Sequence, residues 1–311
     1  MGQMPLPVSA QQLVLAALSK QLYGRAGPVY ADIARLGASL GVLGNRHMRR
    51  VAAAAIEALG ETPTAGAVWR FGWQWWYQRS VDELIACQAD RLTPEWAERH
   101  VLAPLRPPPS SILLSVHQFN LPVAAARAVQ LVDDLGVVSV IDPLPPGGAD
   151  VGTEDFLLPP KVRARALGRF YSRIFEGRIF SPTVAARRGL ELLRRGGSLI
   201  VYPDFFGQAY GSILGRSVPV AQGALWLAHR SGRPIVPFLL IPPNRPADQW
   251  RLWCGEPIHA SSTAVVATLE RCIRRLPTTW PYWRGWYAAP EASRAALGAG
   301  AHPAARRASS L

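Results

Sequence analysis

Ile112-Leu113-Leu114-Ser115-Val116-His117-Gln118-Phe119-Asn120-Leu121-Pro122 is the stretch on which the reading of this chain turns. It opens as a continuous apolar run, the pattern of a strand buried on both faces, predicted over residues 111–116. A helical pattern follows at once over residues 122–135, with proline in its first turn and Gly136 just past its end. A histidine at the point where a buried strand gives way to a helix can face a pocket while the scaffold holds its backbone. That placement suits a general base. Two plainer readings stand beside it: His117 as a strand-end histidine satisfied by backbone groups, and Asn120 as a cap of the following helix.

Outward from this stretch the chain alternates. Strands are predicted at 137–141, 198–202, 234–241 and 251–254, helices at 161–175, 183–195, 218–229 and 263–276, and a Pro/Gly-rich loop at 143–155. The pattern implies an α/β fold with a largely parallel central sheet flanked by helices. Upstream of Pro107-Pro108-Pro109 the periodicity is helical, over 31–40, 48–59 and 68–89. The chain thus divides into an N-terminal helical region packed on the core (1–106), an α/β core (107–290) and an Ala-, Ser-, Gly- and Arg-rich tail expected to be disordered (291–311). Trp69, Trp73 and Trp76 share one helix face. The preferred reading packs this stripe on the core; the alternative is an aromatic wall for an acyl chain or a membrane-interface foot.

Composition narrows the function classes. Hydrophobic residues are 49% and charged residues 18%, which allows a sizeable core and argues against global disorder. Cys87, Cys254 and Cys272 are far apart and form no CxxC pair. That excludes a disulfide framework or a structural zinc site and fits a reducing compartment. The net charge is +13, and all of the 34 basic residues but Lys20 and Lys161 are arginine. Either genomic base composition or attraction to anions accounts for this; the anions would be phosphorylated lipid or an acidic carrier protein. No nucleic-acid-binding motif accompanies the charge, so nucleic acid is not an expected partner. The apolar segment 13–18 is too short to cross a bilayer and no basic n-region precedes it. The expected location is cytoplasmic, with peripheral attachment to the inner face of the plasma membrane left open.

GxSxG, Walker, GxGxxG and HExxH signatures are absent, and Gly211-Ser212-Ile213-Leu214-Gly215 reads as a turn. A second block, Leu199-Ile200-Val201-Tyr202-Pro203-Asp204-Phe205-Phe206-Gly207, puts Asp204 just beyond a buried strand. That is the edge where open α/β sheets bind ligands, although a turn or cap carboxylate is the plainer reading. A third, Gly232-Arg233-Pro234-Ile235-Val236-Pro237-Phe238, is by itself a turn entering a strand.

In their order, these blocks resemble the lysophospholipid acyltransferase superfamily, and within it the bacterial lipid A biosynthesis (lauroyl/myristoyl) acyltransferases. Where that family carries His-Phe-Gly-Asn-Trp-Glu after a buried strand, this chain has His117-Gln118-Phe119-Asn120-Leu121-Pro122. The family's Pro-Asp block resembles Pro203-Asp204, its Gly-Arg segment Gly215-Arg216, and its Gly-x-Pro-Val-Val-Pro strand residues 232–237. Its terminal Trp-x-x-x-x-Arg-Trp element is similar in kind to Trp280, Trp283, Arg284 and Trp286. The likeness spans roughly residues 28 to 287.

The resemblance implies an acyltransferase in which His117 takes a proton from an acceptor hydroxyl or amine that attacks an acyl thioester, with acyl carrier protein or coenzyme A as the thioester carrier. No metal or other cofactor is implied. The family's acid five residues after the histidine is Pro122 here, which opens three outcomes. Asp204 approaches His117 across the sheet edge and replaces the acid; a backbone carbonyl orients the ring; or the protein is a catalytically silent acyl- or carrier-protein-binding accessory on the same scaffold. Asn120 and Arg216 are the further substrate-binding positions. Arg165, Arg169 and Arg173, at i, i+4 and i+8 on one predicted helix, form a basic face that could dock an acidic carrier protein or remain solvated. Oligomeric state is left open.

Overall fold

The computed structural model describes residues 35, 38, 39, 45–87, 89, 92–138, 160–243 and 249–291. Most of the helix expected at 31–40, the loop at 143–155 and the tail lie outside the described residues. Described in chain order are α1 (Arg46–Ala58), α2 (Ala65–Cys87), α3 (Pro94–His100), β1 (Val101–Leu102), β2 (Ile112–Leu114), α4 (Leu121–Leu131), β3 (Leu135–Val138) and α5 (Pro160–Phe175). They continue with β4 (Ile179–Phe180), α6 (Pro182–Arg194), β5 (Ser198–Val201), β6 (Asp204–Ile213), β7 (Arg216–Val220), α7 (Gly223–Ser231), β8 (Ile235–Ile241), β9 (Trp250–Cys254), α8 (Ser262–Arg275), a 3-10 turn (Pro277–Thr279) and α9 (Trp283–Ala288).

The architecture is mixed α/β around a seven-stranded sheet of order β1-β9-β8-β2-β5-β3-β4. The run from β8 to β4 is parallel throughout; β9 is antiparallel to β8 and parallel to β1. At its centre Ile112, Leu113 and Leu114 are fully buried. Side chains alternate across the pleat. Ile112, Leu114, Leu199, Val201 and Ile235 pack on one side with α1, α2, α6, α7 and α8, and Leu113, Ile200 and Val236 on the other with α3, α4 and α5. A strand covered on both faces has no polar positions to spare, which is why β2 reads as an unbroken apolar run. Leu113→Ala would cost about 2–5 kcal/mol as a buried large-to-small change.

Four differences from the sequence reading have physical causes. Gly136 does not end α4: the helix stops at Leu131 and Gly136 lies inside β3. A Cβ there would come within 2.8 Å of Leu192 Cδ2, so the glycine serves close packing of α6 on the sheet. Residues 204–220 form a β6–β7 hairpin, and its strand β7 takes Val218 to Val220 from the helix predicted at 218–229. The hairpin turns at Leu214 and Gly215, both at positive φ (50° and 78°). β1 belongs to the sheet although it precedes the proline run, so the helical region contributes a strand as well as packing. Finally, the tryptophan stripe of α2 meets the core only in part, through Trp76. Trp69 is exposed and Trp73 and Trp76 are half-buried, whereas Phe71, Trp75, Gln78 and Asp82 point inward. The helix is apolar on several sides, and the buried side is the one that continues into polar residues.

Among the described residues no helix is long and apolar enough to cross a membrane.

Candidate active site

The paired register of two neighbouring strands builds the site. Leu114 of β2 stands opposite Val201 of β5 in the parallel ladder, and Ser115 N–H extends the ladder to the Val201 carbonyl (3.1 Å). His117 and Asp204 each lie three residues beyond that matched pair. Parallel strands about 4.8 Å apart carry such positions side by side at the carboxyl edge of the sheet. His117 Nδ1 and Asp204 Oδ1 are 2.9 Å apart. The backbone N–H of His117 also donates to both carboxylate oxygens, at 2.9 and 3.1 Å. Trp280 Nε1–H completes the set, donating to Asp204 Oδ2 at 2.9 Å.

Asp204 is fully buried and receives all these donors. An ionised carboxylate can only accept, so the proton shared with His117 sits on Nδ1, and the basic lone pair of the neutral ring is on Nε2. The His117 side chain keeps 20% exposure. The rings of Tyr202 and Tyr282 lie beside the imidazole, with centroids 5.2 and 5.1 Å away. Burial, reinforced by the nearby Tyr171 and Asp204, holds the Tyr202 phenol well above its usual range, so it stays protonated and neutral. Burial likewise pushes the Cys272 thiol up to about 12, which removes it as a thiolate nucleophile. Ser115, two residues before His117, donates its hydroxyl to the Val116 carbonyl (3.1 Å).

The loop after His117 is anchored residue by residue. Gln118 acts as a surrogate strand: its amide accepts from Leu240 N–H (3.1 Å) and donates to the Leu240 carbonyl (3.3 Å) and Thr279 Oγ1 (3.2 Å), where β2 has already ended. Phe119 N–H donates to the Thr279 carbonyl at 2.9 Å, and its ring meets Trp75 edge-on at 5.4 Å. Asn120 adopts the left-handed conformation (φ 68°), which asparagine tolerates better than most residues. Its backbone N–H donates to Asp82 Oδ1 of α2 at 2.6 Å. Pro122 lies in the first turn of α4, where its missing N–H costs nothing and its fixed φ suits the helix.

The structure therefore brings His117 and Asp204 together, and it engages Asn120, Arg173 and Arg216 with other partners. Asn120 is buried and does not cap α4 with its side chain; its amide Nδ2 donates to Gln78 Oε1 (3.3 Å). With its backbone N–H on Asp82 and its amide on Gln78, it anchors the loop to α2. Arg216 is displaced from the site. Its Nη1 donates to the Ala289 carbonyl (3.0 Å) and its guanidinium lies 5.5 Å from the Trp286 ring centre, so it fastens α9 to the hairpin. Arg173 Nη2 donates to the carbonyls of Ala89 and Leu92, at 3.0 Å each, which fastens α5 to the segment joining α2 and α3 and interrupts the expected basic face. Arg169 is exposed, and the Arg165 side chain lies outside the described residues.

Gln118, Trp280, Asp82, Tyr202 and Tyr282 were not singled out as site residues from sequence. Asp82 had a legible signal: with Gln78 it continues the Phe71–Trp75 helix face at spacings of four, three and four, so a carboxylate was bound to be carried inward. Trp280 offered only its likeness in kind to a Trp-rich element.

Among the described residues no cluster of His, Cys, Asp or Glu could hold a metal ion. A groove of about 330 Å³ on the outer side of α2, lined by Ser39, Trp69, Arg70, Trp73 and Gln74, includes none of the residues that frame His117. The chain matches no protein-family model and no curated protein, so what the site does must be inferred from its own geometry.

Proposed function

We propose that the protein is an acyltransferase that moves an acyl group from a carrier-protein or coenzyme A thioester to a hydroxyl or amine of a lipid or secondary-metabolite acceptor. The observation that carries this reading is the 2.9 Å contact between His117 Nδ1 and the buried Asp204 carboxylate. It supplies, from another strand, the acid that the resemblance leads one to expect at Pro122. It also favours catalysis over a silent binding protein, because a buried carboxylate aimed at an imidazole is what a base needs in order to become cationic.

In this reading His117 Nε2 accepts the proton of the acceptor hydroxyl or amine as its heteroatom attacks the thioester carbonyl. Asp204 holds the imidazolium through Nδ1–H. The tetrahedral intermediate collapses, the C–S bond breaks, and the imidazolium returns its proton to the departing thiolate. The nucleophile comes from the substrate, consistent with the engaged Ser115 hydroxyl and the protonated Cys272 thiol. General-base assistance of this sort contributes about 10²–10⁴ in rate. The net charge of +13 and exposed Arg169, Arg187 and Arg188 support an acidic carrier protein or a phosphorylated donor. A cytoplasmic enzyme working at the membrane's inner face fits a chain whose described helices do not span a bilayer. The architecture is compatible with a lysophospholipid acyltransferase-like fold.

The test is release of free thiol from acyl-coenzyme A and acyl-carrier-protein donors, offered with hydroxyl and amine acceptors. Turnover is expected with at least one pair and is expected to fall by about 10²–10⁴ in His117→Ala with an unchanged circular dichroism spectrum. Equal turnover in that variant sinks the assignment. Saturable acyl-carrier binding without turnover would establish the silent accessory instead.

A further inference from the structure

We propose that Trp280 is a positioning residue of the dyad, which orients the Asp204 carboxylate and sets how strongly it supports the charged form of His117. This rests on the acyltransferase reading for its kinetic consequence but not for its electrostatic one. The indole is fully buried and its Nε1–H donates to Asp204 Oδ2 at 2.9 Å, while Oδ1 faces the imidazole. Each carboxylate oxygen thus has its own directed donor, and both also receive the His117 backbone N–H. Rotation of the carboxylate about its Cβ–Cγ bond, which would carry Oδ1 away from Nδ1, must also break the Trp280 bond.

The indole is itself held in place. Trp280's carbonyl accepts Trp75 Nε1–H from α2 at 2.9 Å, and its ring meets Trp283 edge-on at 5.0 Å. A chain of directed contacts therefore runs from α2 through Trp75, Trp280 and Asp204 to the base. The helical region that precedes the sheet is in this sense part of the site. Without that donor the carboxylate is free to turn, Oδ1 leaves the line of Nδ1, and the imidazolium loses support.

Trp280→Phe retains most of the bulk and deletes the N–H. Expected are a fall in kcat of about 10-fold or more, the scale of one hydrogen bond to a charged group, with KM for the thioester little changed. The acidic limb of the pH–rate profile and the His117 ring titration followed by NMR are both expected to move to lower pH. Should the phenylalanine variant not fold, benzothienylalanine at position 280 keeps the indole shape without the donor. A folded variant of either kind with the wild-type His117 titration overturns the proposal, whether or not any thioester is turned over. A shifted titration in a protein that turns over no thioester would leave the positioning role intact and remove the transferase reading.

Discussion

Two buried carboxylates hold the two ends of one short loop, and they do different work. Asp204, entering from the end of β5, meets both the backbone and the imidazole of His117. Asp82, entering from the inner face of α2, meets the backbone N–H of Asn120. Both are almost inaccessible to water and both sit near the carboxyl edge of the sheet. One faces a titratable ring with partial exposure; the other faces the start of a helix, where a negative charge suits the N-terminal end of the dipole. Burial and charge alone therefore do not identify a catalytic acid. Under the proposed reaction, what distinguishes it is a side-chain partner that must change charge.

That contrast is open to test. Asp204→Asn should have the largest effect. The amide offers Nδ2–H where the carboxylate offered an acceptor, favours the wrong imidazole tautomer, and leaves an imidazolium unsupported. Loss of activity of about 10⁴ is the scale seen when a dyad acid is neutralised in this way, measurable as thiol release under saturating donor. Asp82→Asn should lie far below this: a stability loss of about 1–3 kcal/mol in urea unfolding, with the rate reduced less than 10-fold. If Asp82→Asn proves as inactive as Asp204→Asn while remaining folded, the division between the two carboxylates collapses.

The smallest expected effect is chemical. Burial pushes Cys254 up to about 11 and Cys272 up to about 12, so both stay protonated at neutral pH. Iodoacetamide at pH 8 should leave these two unmodified in the folded protein and label them on unfolding, read by peptide mass mapping. Rapid native labelling of Cys272 would indicate that the region beside Asp204 opens more readily than its packing implies.

Much of the fold was legible because the decisive signals are local. An unbroken apolar run such as residues 112–114 is the mark of a strand buried on both faces of a parallel sheet. Proline marked the entry to α4, and Gly232 the turn into β8, for reasons of backbone geometry. The β6–β7 hairpin escaped because its turn is Leu214-Gly215 and its strands contain Pro219 and two glycines, Gly207 and Gly211, which obscure the alternation that identifies strands. The arginines escaped for another reason. Helical spacing places Arg169 and Arg173 on one face, but the carbonyls that engage the Arg173 guanidinium belong to residues more than eighty positions upstream.

Residue order alone was sufficient to put a histidine and an aspartate each just beyond a buried strand, because strand burial and strand ends are written in hydrophobic patterning. It also put proline at position 122, where the resemblance leads one to expect an acid. Only the tertiary structure determined that β5 lies directly beside β2, with Leu114 opposite Val201, and so that the carboxylate reaches the ring. Strand adjacency in a parallel sheet is set by crossover connections and the packing of helices on both faces. It depends on the free energy of the whole core, which no local pattern encodes.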